Sequence, residues 1–466
     1  MKRHTDSMRG IRAICGMRGI RGTRAICRTR GGPVAVVAHA TLVAVACAAL
    51  SLPAHADSDD GIASSRGLTL DACVARALEE APDVSAARHE WLAADEAVGR
   101  VGSLPDPVLS YGYFVDEVET RVGPQEQRFA LRQTLPWFGK LRLRSAAARA
   151  GAEAAYQRYR RAAADAVFEV TEAYVEYANL RITIDILERR ASLLEDLESV
   201  VRARYASGEV PYSDLMRAGI ERARISDRLA AAVARRRPAS ARLAAALGTT
   251  SDGPLPWPDG IPAAEPPAGG DTGAELARVS PELLMLDSGI ERAERMRSLA
   301  RRGYFPDIML GVDYIVTGEA AMPVDESGKD PLAVSASVSI PLWFGKHAAE
   351  VSEQAERVIS ARDTRRHREN ELAARLEMVF FEVDDAARRV ALYEGEIVPS
   401  AEQSLASARA AYGSGAVGFE SVVAAEQALL EFELSLARAR ADAVVAGAGL
   451  ERLLGTSVPA RPPDGE

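Results

Sequence analysis

Aromatic residues are scarce, 6% of 466, while Ala, Arg, Glu and Leu are abundant. That balance favours long helices over a large aromatic core. Cysteine is scarcer still: Cys15, Cys27, Cys47 and Cys73 are all there are. Three of them fall in an amino-terminal leader, so the mature chain keeps one thiol and can form no intrachain disulfide. Lysine is nearly absent, and arginine supplies the positive charge. Past the leader only His89, His347 and His367 remain, widely spaced, and the methionines do not cluster. These give no basis for a metal site. No Gly-Lys pair is followed by Ser or Thr, and no His-Glu-x-x-His occurs. A phosphate-cradling loop and the zincin motif are thereby excluded. The sequence offers no catalytic residue, no cofactor-binding residue and no metal ligand.

The leader covers residues 1–56. A basic segment runs to Gly32, an apolar run covers Val34 to Leu50, and Ala54-His55-Ala56 is a small-x-small cleavage site. That is a secretory signal peptide rather than a transmembrane helix. Met8 and Met17 each open a near-repeat of the same basic stretch, so either is a possible start. Cys47 leaves lipoprotein processing open beside signal-peptidase cleavage, although Ala44 stands where a leucine is usual. Removing the leader takes nine of the 57 basic residues and one of the 66 acids, which moves the net charge from −9 to −17. A strongly acidic exported protein is a poor nucleic-acid binder, and none is expected as a partner.

What is present is a duplication. Trp137-Phe138-Gly139-Lys140 returns as Trp343-Phe344-Gly345-Lys346, each preceded by a proline, Pro136 and Pro341. Upstream of each, side chains alternate; downstream, apolar residues recur at helical spacing. The motif therefore marks a strand handing over to a helix. Proline ends the strand because it cannot donate to the ladder, and glycine lets the backbone bend into the first helical turn. The tryptophans are offset by 206 residues, while Leu247-Gly248-Thr249 and Leu454-Gly455-Thr456 are offset by 207. Pro105-Asp106 and Pro306-Asp307 differ by only 201. A period of this length reads as duplication of a whole unit, not a solenoid repeat. The first copy is placed at 57–248 and the second at 275–457, followed by a tail at 458–466. Between the copies, 249–274 is a Pro/Gly-rich linker expected to lack regular structure.

Each copy reads as helix, strand, strand, very long helix, tight turn, helix. Breaks are expected at Pro82, Pro238 and Pro399. The strands are placed at Val108–Asp116, Gln127–Leu135, Asp307–Val316 and Leu332–Ile340. Each has roughly the length of a tilted strand crossing a bilayer. Aromatic residues gather at the strand ends, as in interfacial belts. A small soluble sheet with one wet face gives the same alternation; if the strands instead lie in a membrane, four cannot close a barrel and an open edge in lipid is forbidden, so several chains must share one. Downstream, Ala166, Val170, Ala173, Tyr177, Leu180, Ile184, Leu187, Ala191 and Leu194 step by four and three. Leu372, Leu376, Val379, Val383, Ala386, Val390, Tyr393 and Ile397 repeat the seam, which is that of a coiled coil. With no proline from Leu141 to Tyr205, the first long helix can reach roughly 100 Å.

The long helices end in matching segments, Tyr205 through Gly208 to Val210 and Tyr412 through Gly415 to Val417. Glycine there permits the positive φ that turns the chain back into a helical hairpin. The duplicated junction, the Tyr-x-x-Gly-x-Val tips and the Leu-Gly-Thr helix ends together resemble the TolC family of outer-membrane efflux ducts. The resemblance covers nearly all of the mature sequence. The form of the first junction is most similar to members serving resistance-nodulation-division pumps for heavy metals or drugs.

The resemblance implies an α+β membrane protein whose tandem-duplicated unit gives four transmembrane β-strands per chain to a shared 12-stranded barrel of a homotrimer. Long coiled-coil helical hairpins form a periplasmic α-barrel below it. It further implies an outer-membrane location, contact with outer-membrane lipid, and partnership with a periplasmic adaptor protein and an inner-membrane pump, in efflux or type I secretion. Docking and gating then fall to the tips: Tyr205, Gly208, Val210, Asp214, Tyr412, Gly415, Val417 and Glu420. Asp214 and Tyr412 match the acid and tyrosine that help lock a closed tip in the family. Ser421 stands where some members place an aperture acid, and Glu420 beside it is the available substitute. The junction residues Pro136, Trp137, Phe138, Gly139, Pro341, Trp343, Phe344 and Gly345 fall at the membrane interface. The alternative function is a periplasmic coiled-coil scaffold or adaptor with a small soluble sheet. An exported enzyme is the third class, and no residue constellation supports it.

Overall fold

The seam residues of the first long helix are where the fold begins. In the computed structural model, which describes residues 68–250, 253–264 and 272–456, Val170, Ala173, Tyr174 and Tyr177 are buried side by side. They lie on a helix of 67 residues, α3 (Lys140–Ala206), about 100 Å long at 1.5 Å per residue. Burial of one stripe, rather than helix propensity, holds so long a rod. The leader at 1–56, the tail at 458–466 and part of the linker lie outside the described residues.

Before α3 come α1 (Leu70–Glu80) and α2 (Pro82–Gly102), separated at Ala81 because Pro82 starts a new helix at its first turn. The strands β1 (Val108–Thr120) and β2 (Gly123–Leu135) follow. They extend beyond the expected Asp116 and back from Gln127, because a ladder irregularity after Tyr113 lets pairing resume at Val118↔Gln125. After α3, the chain returns along α4 (Tyr212–Ala234) and α5 (Arg236–Ala246), which break three residues before Pro238.

The second copy runs α6 (Thr272–Val279), α7 (Pro281–Arg301), a 3₁₀ turn, β3 (Ile308–Thr317), β4 (Leu332–Val338) and α8 (Phe344–Leu392). A π-helical turn at Tyr393–Ile397 then leads into α9 (Val398–Gly413), and α10 (Phe419–Leu454) returns. Pro399 sits in the first turn of α9. Its missing N–H would leave a carbonyl in the preceding turn without a partner, and a π turn is a usual way to absorb this. No described helix is long and apolar enough to cross a membrane.

The linker departs from expectation in two ways. Its last residues from Thr272 already belong to α6. Its middle is also tied down: Leu255 is buried, Trp257 stacks on Tyr177 at 4.7 Å, and the Tyr177 hydroxyl donates to the Leu255 carbonyl at 2.8 Å. Arg236 lies over the Trp257 ring at 4.4 Å. Proline-rich backbone here serves as a strap over α3.

The four strands form one antiparallel sheet in the order β1-β2-β3-β4. The two copies thus meet in the middle of the sheet, through β2 and β3, and leave β1 and β4 as outer edges among the described residues. The repeat offset also resolves locally. Pro136 and Pro341 differ by 205, and the tryptophans by 206, because Leu342 is inserted after Pro341.

Candidate functional site

The pairing register sorts the strand residues onto two faces, since directly opposed residues share a face. Tyr111 opposes Phe129, which opposes Tyr314, which opposes Leu332. On that face Leu109, Leu131, Leu310, Val312, Val334 and Val338 are all exposed. An exposed apolar band of this extent does not occur on a water-facing sheet without a partner. The other face carries Ser110, Ala130, Asp313 and Ala333 in one row. Arg128 donates to Asp313 Oδ1 from Nε at 3.0 Å and from Nη2 at 2.7 Å, with Arg132 at 3.7 Å. Asp313 is buried beneath them. One face is therefore apolar and the other polar and charged, the alternation of a transmembrane barrel wall. This charged cluster was legible as Arg128-x-x-x-Arg132 on the polar phase of β2, but its partner in β3 came only with the register.

Below the sheet, the two junction turns are built alike and housed differently. In both, the lysine N–H donates to the tryptophan carbonyl at 3.0 Å, Lys140 to Trp137 and Lys346 to Trp343. In the first copy Gly139 adopts φ +84°, a left-handed conformation that caps α3 and that a Cβ would strain. Asp307, from the second copy, is the hub: its Oδ1 accepts from the Trp137 N–H and from Lys140 Nζ, both at 2.8 Å. Lys140 Nζ also donates to the Phe305 carbonyl at 2.9 Å, and Trp137 stacks on Phe305 at 5.7 Å. Lys140 is only 8% exposed. Partial burial pushes the Asp307 carboxyl up, but the Lys140 hydrogen bond, the Trp137 N–H and the Lys140 and Arg144 charges outweigh it and hold the group below its usual range.

The second junction has none of these partners. Trp343 is 77% exposed, and Phe344 and Lys346 are exposed with it. Gly345 lies inside α8 rather than capping it, so the helix begins at Phe344. Among the described residues Phe344 stacks only on Tyr304, at 6.5 Å. Pro136 and Trp137 are half-buried, while Phe138 is exposed and Pro341 intermediate.

At the opposite ends of the long helices the asymmetry reverses. Gly208 and Gly415 take φ +79° and +75° and close both hairpins with the same bonds, Gly208 N–H to Tyr205 O at 3.0 Å and Gly415 N–H to Tyr412 O at 3.1 Å. Tyr205 is 42% exposed and tilts against Tyr212 at 5.6 Å. Tyr412 is 7% exposed, among Phe419, Val422, Leu405 and Val201, with Val210 and Val417 packed on the same cluster. Arg204 lies over the Tyr412 ring at 4.9 Å. The Tyr412 hydroxyl is buried and has no hydrogen-bond partner among the described residues. Burial pushes its pKa up, the Arg204 charge opposes this, and the Asp214 charge adds to it. Asp214 stands in the first turn of α4, where a negative charge suits the helix dipole.

Glu420 is not a free acid: Arg217 of α4 holds it at 2.6 Å. The more buried acid, which sequence reading passed over, is Glu426 on α10. It accepts from Arg190 at 2.9 Å and from Arg409, while Arg190 also holds Glu433 at 2.7 Å. Its signal in the sequence was an acid on the core phase of α10, four residues after Val422.

Comparison with known proteins agrees with this architecture. The family model described as outer membrane efflux protein matches residues 73–249 and 274–456. Among solved structures, the outer membrane protein VceC of Vibrio cholerae superposes with a TM-score of 0.68 at 18% identity, covering 83% of this chain and 96% of its own. The outer-membrane channel OprN gives 0.71 at 17%, covering 83% and 89%. The open-state MtrE outer membrane channel of Neisseria gonorrhoeae gives 0.69 at 17%, covering 83% and 88%. No curated protein matches this sequence significantly. A two-faced sheet above coiled helical hairpins, both duplicated and both matched by the family model, makes this chain a member of the outer membrane efflux protein family.

Proposed function

We propose that this chain conducts substrates passively from an inner-membrane pump to the exterior. The family assignment makes it an outer-membrane channel subunit of a tripartite efflux system, extending into the periplasm and assembling as a trimer with pump components. Three finer points go beyond that. The helical tips around Tyr205, Gly208, Val210, Tyr412, Gly415 and Val417 dock on a periplasmic adaptor. Asp214, Tyr412 and the Arg217–Glu420 pair hold the closed tip. The junction residues from Pro136 and from Pro341 seat the barrel at the inner lipid boundary. The signal peptide at 1–56, the first copy at 57–248, the linker from 249 and a second copy that opens with α6 at Thr272 and runs to 457 complete this reading. The pump is of the resistance-nodulation-division type, for drugs or heavy metals, and the duct itself carries no catalytic step.

The observation that carries the reading is the sheet with one apolar exposed face, one charged face and two unpaired edges. No small soluble sheet on a periplasmic scaffold calls for that combination. Carbonate extraction of membranes tests it: the duct stays with the outer membrane, and release of the chain into the supernatant overturns the reading in favour of the scaffold. For the tip, Asp214→Ala and Tyr412→Phe are expected to raise ion conductance in planar bilayers. Unchanged conductance in both removes these residues from the lock.

A further inference from the structure

The two junctions differ because one is completed inside the chain and the other lacks its second half. In the first, the helix start after β2 (Trp137, Lys140) is clasped by Asp307 at the start of the neighbouring strand β3. Asp106 is the counterpart of Asp307, and Trp343 and Lys346 are the counterparts of Trp137 and Lys140. Asp106 stands two residues before β1 and Lys346 in the first turn of α8 after β4, at the ends of the two outer strands; both are exposed, with no ion pair to each other or to any described residue.

We propose that a second copy of this chain completes the junction: Asp106 of one protomer clasps Lys346 and the Trp343 N–H of the next, while β1 pairs antiparallel with β4 in one fixed register. This rests on the trimeric duct reading and deepens it. The register follows from the β2–β3 pairing inside the chain. There, Gln133 opposes Leu310, Arg132 opposes Gly311, and Leu131 opposes Val312. Shifting β2 by the 205 of the proline pair and β3 by the 201 of the Pro-Asp pair places Val338 opposite Leu109, Ser337 opposite Ser110 and Ala336 opposite Tyr111. The 206 offset of the tryptophans, applied to the strand, would set apolar side chains of β4 against the polar face of β1. The inserted Leu342 is what reconciles the two, and of these two registers it is the 205 one that keeps each face of the sheet continuous across the boundary. The same geometry explains why Trp343 is left uncovered in the single chain.

Oxidative cross-linking of the mature full chain in detergent tests the register. Ser110→Cys with Ser337→Cys is expected to link chains into dimers and trimers on a denaturing gel, reversibly by reductant. Ser110→Cys with Ser335→Cys, displaced by two residues, should link at least about tenfold less, because diagonal strand neighbours lie roughly 7–8 Å apart, beyond disulfide reach. Cys73 does not compete: burial pushes its thiol up to about 11, against a small opposing effect of Arg76. For the clasp, a zero-length carbodiimide should join Asp106 to Lys346 between chains. The Lys140–Asp307 pair, at 2.8 Å within one chain, serves as the internal positive control, and Asp106→Asn removes only the interchain product. Glutaraldehyde trapping separates the two failures. Trimers that form without a Ser110–Ser337 link, or with a stronger Ser110–Ser335 link, overturn the register and leave the duct. Trimers that link at Ser337 but give no Asp106–Lys346 product overturn the clasp. Absence of trimers overturns the duct reading, and this proposal with it.

Discussion

The two copies of the repeat carry nearly the same motifs but protect opposite ends. In the first, the junction is covered, with Lys140 buried and clasped by Asp307, while the tip tyrosine Tyr205 is exposed. In the second, the junction is open at Trp343 and the tip tyrosine Tyr412 is buried. The difference teaches that identical sequence motifs can be assigned to different interfaces by their place in a sheet order. β2 and β3 meet inside the chain, so the junction between them is finished by folding. β1 and β4 are edges, so the other junction is left for assembly.

Substitutions can break that contrast. The largest effect is expected at the buried end of the second copy. Glu426→Ala leaves Arg190 and Arg409 without their shared carboxylate, and removing one member of a buried ion cluster costs about 3–5 kcal/mol. A denaturation midpoint unchanged from the parent would show the cluster to be well solvated. Next, Asp307→Ala removes the acceptor shared by the Trp137 N–H and Lys140 Nζ, at a cost of about 1–3 kcal/mol for unmade bonds to charged groups. Because the Asp307 pKa is lowered on folding, the clasp contributes stability above the unfolded carboxyl value of 3.8, and that stability is lost as pH falls through the folded value. The difference between parent and variant in denaturant midpoint should therefore shrink on acidification. A difference that grows instead would assign the clasp to another group.

A sign reversal sharpens the comparison further. Gly139→Ala forces a Cβ into the left-handed region and is expected to destabilise by about 1–2 kcal/mol. Gly345→Ala, inside α8 with open space around its Cα, is expected to stabilise by up to about 1 kcal/mol. Equal effects at both glycines would erase the structural distinction between the junctions. The smallest effect belongs to Glu420→Gln: its pair with Arg217 is solvent-exposed, so thermal stability should move by less than about 1 kcal/mol. Any role of that pair then appears in tip conductance alone.

Most of the architecture was legible because it rests on periodicity. The step of four and three along Ala166 to Leu194 marked the buried stripe of α3, and the alternation from Leu332 marked β4. Pro82, Pro238 and Pro399 marked the breaks because a missing N–H acts locally. What sequence could not supply was pairing across distance. The Arg128–Asp313 bond spans 185 residues and Arg190–Glu426 spans 236, and nothing at either position names its partner. The linker misled for a related reason. Its composition speaks of absent regular structure, yet Trp257 and Leu255 find a hold on Tyr177 that no local rule anticipates. The two tip tyrosines make the same point, since identical Tyr-x-x-Gly-x-Val motifs leave Tyr205 exposed and bury Tyr412 according to what packs beside them.

The π turn at Tyr393–Ile397 has a consequence for how this protein can vary. Each residue advances an α-helix by about 100°, and a widened turn resets the angular phase of everything after it. Phase on α9 decides whether Tyr412 points inward among Phe419 and Val422 or outward into water. Losing a single residue from α9 itself, where no widened turn absorbs it, would swing everything after it by more than a quarter revolution. Length change in this segment is thus far less forgiving than change of identity.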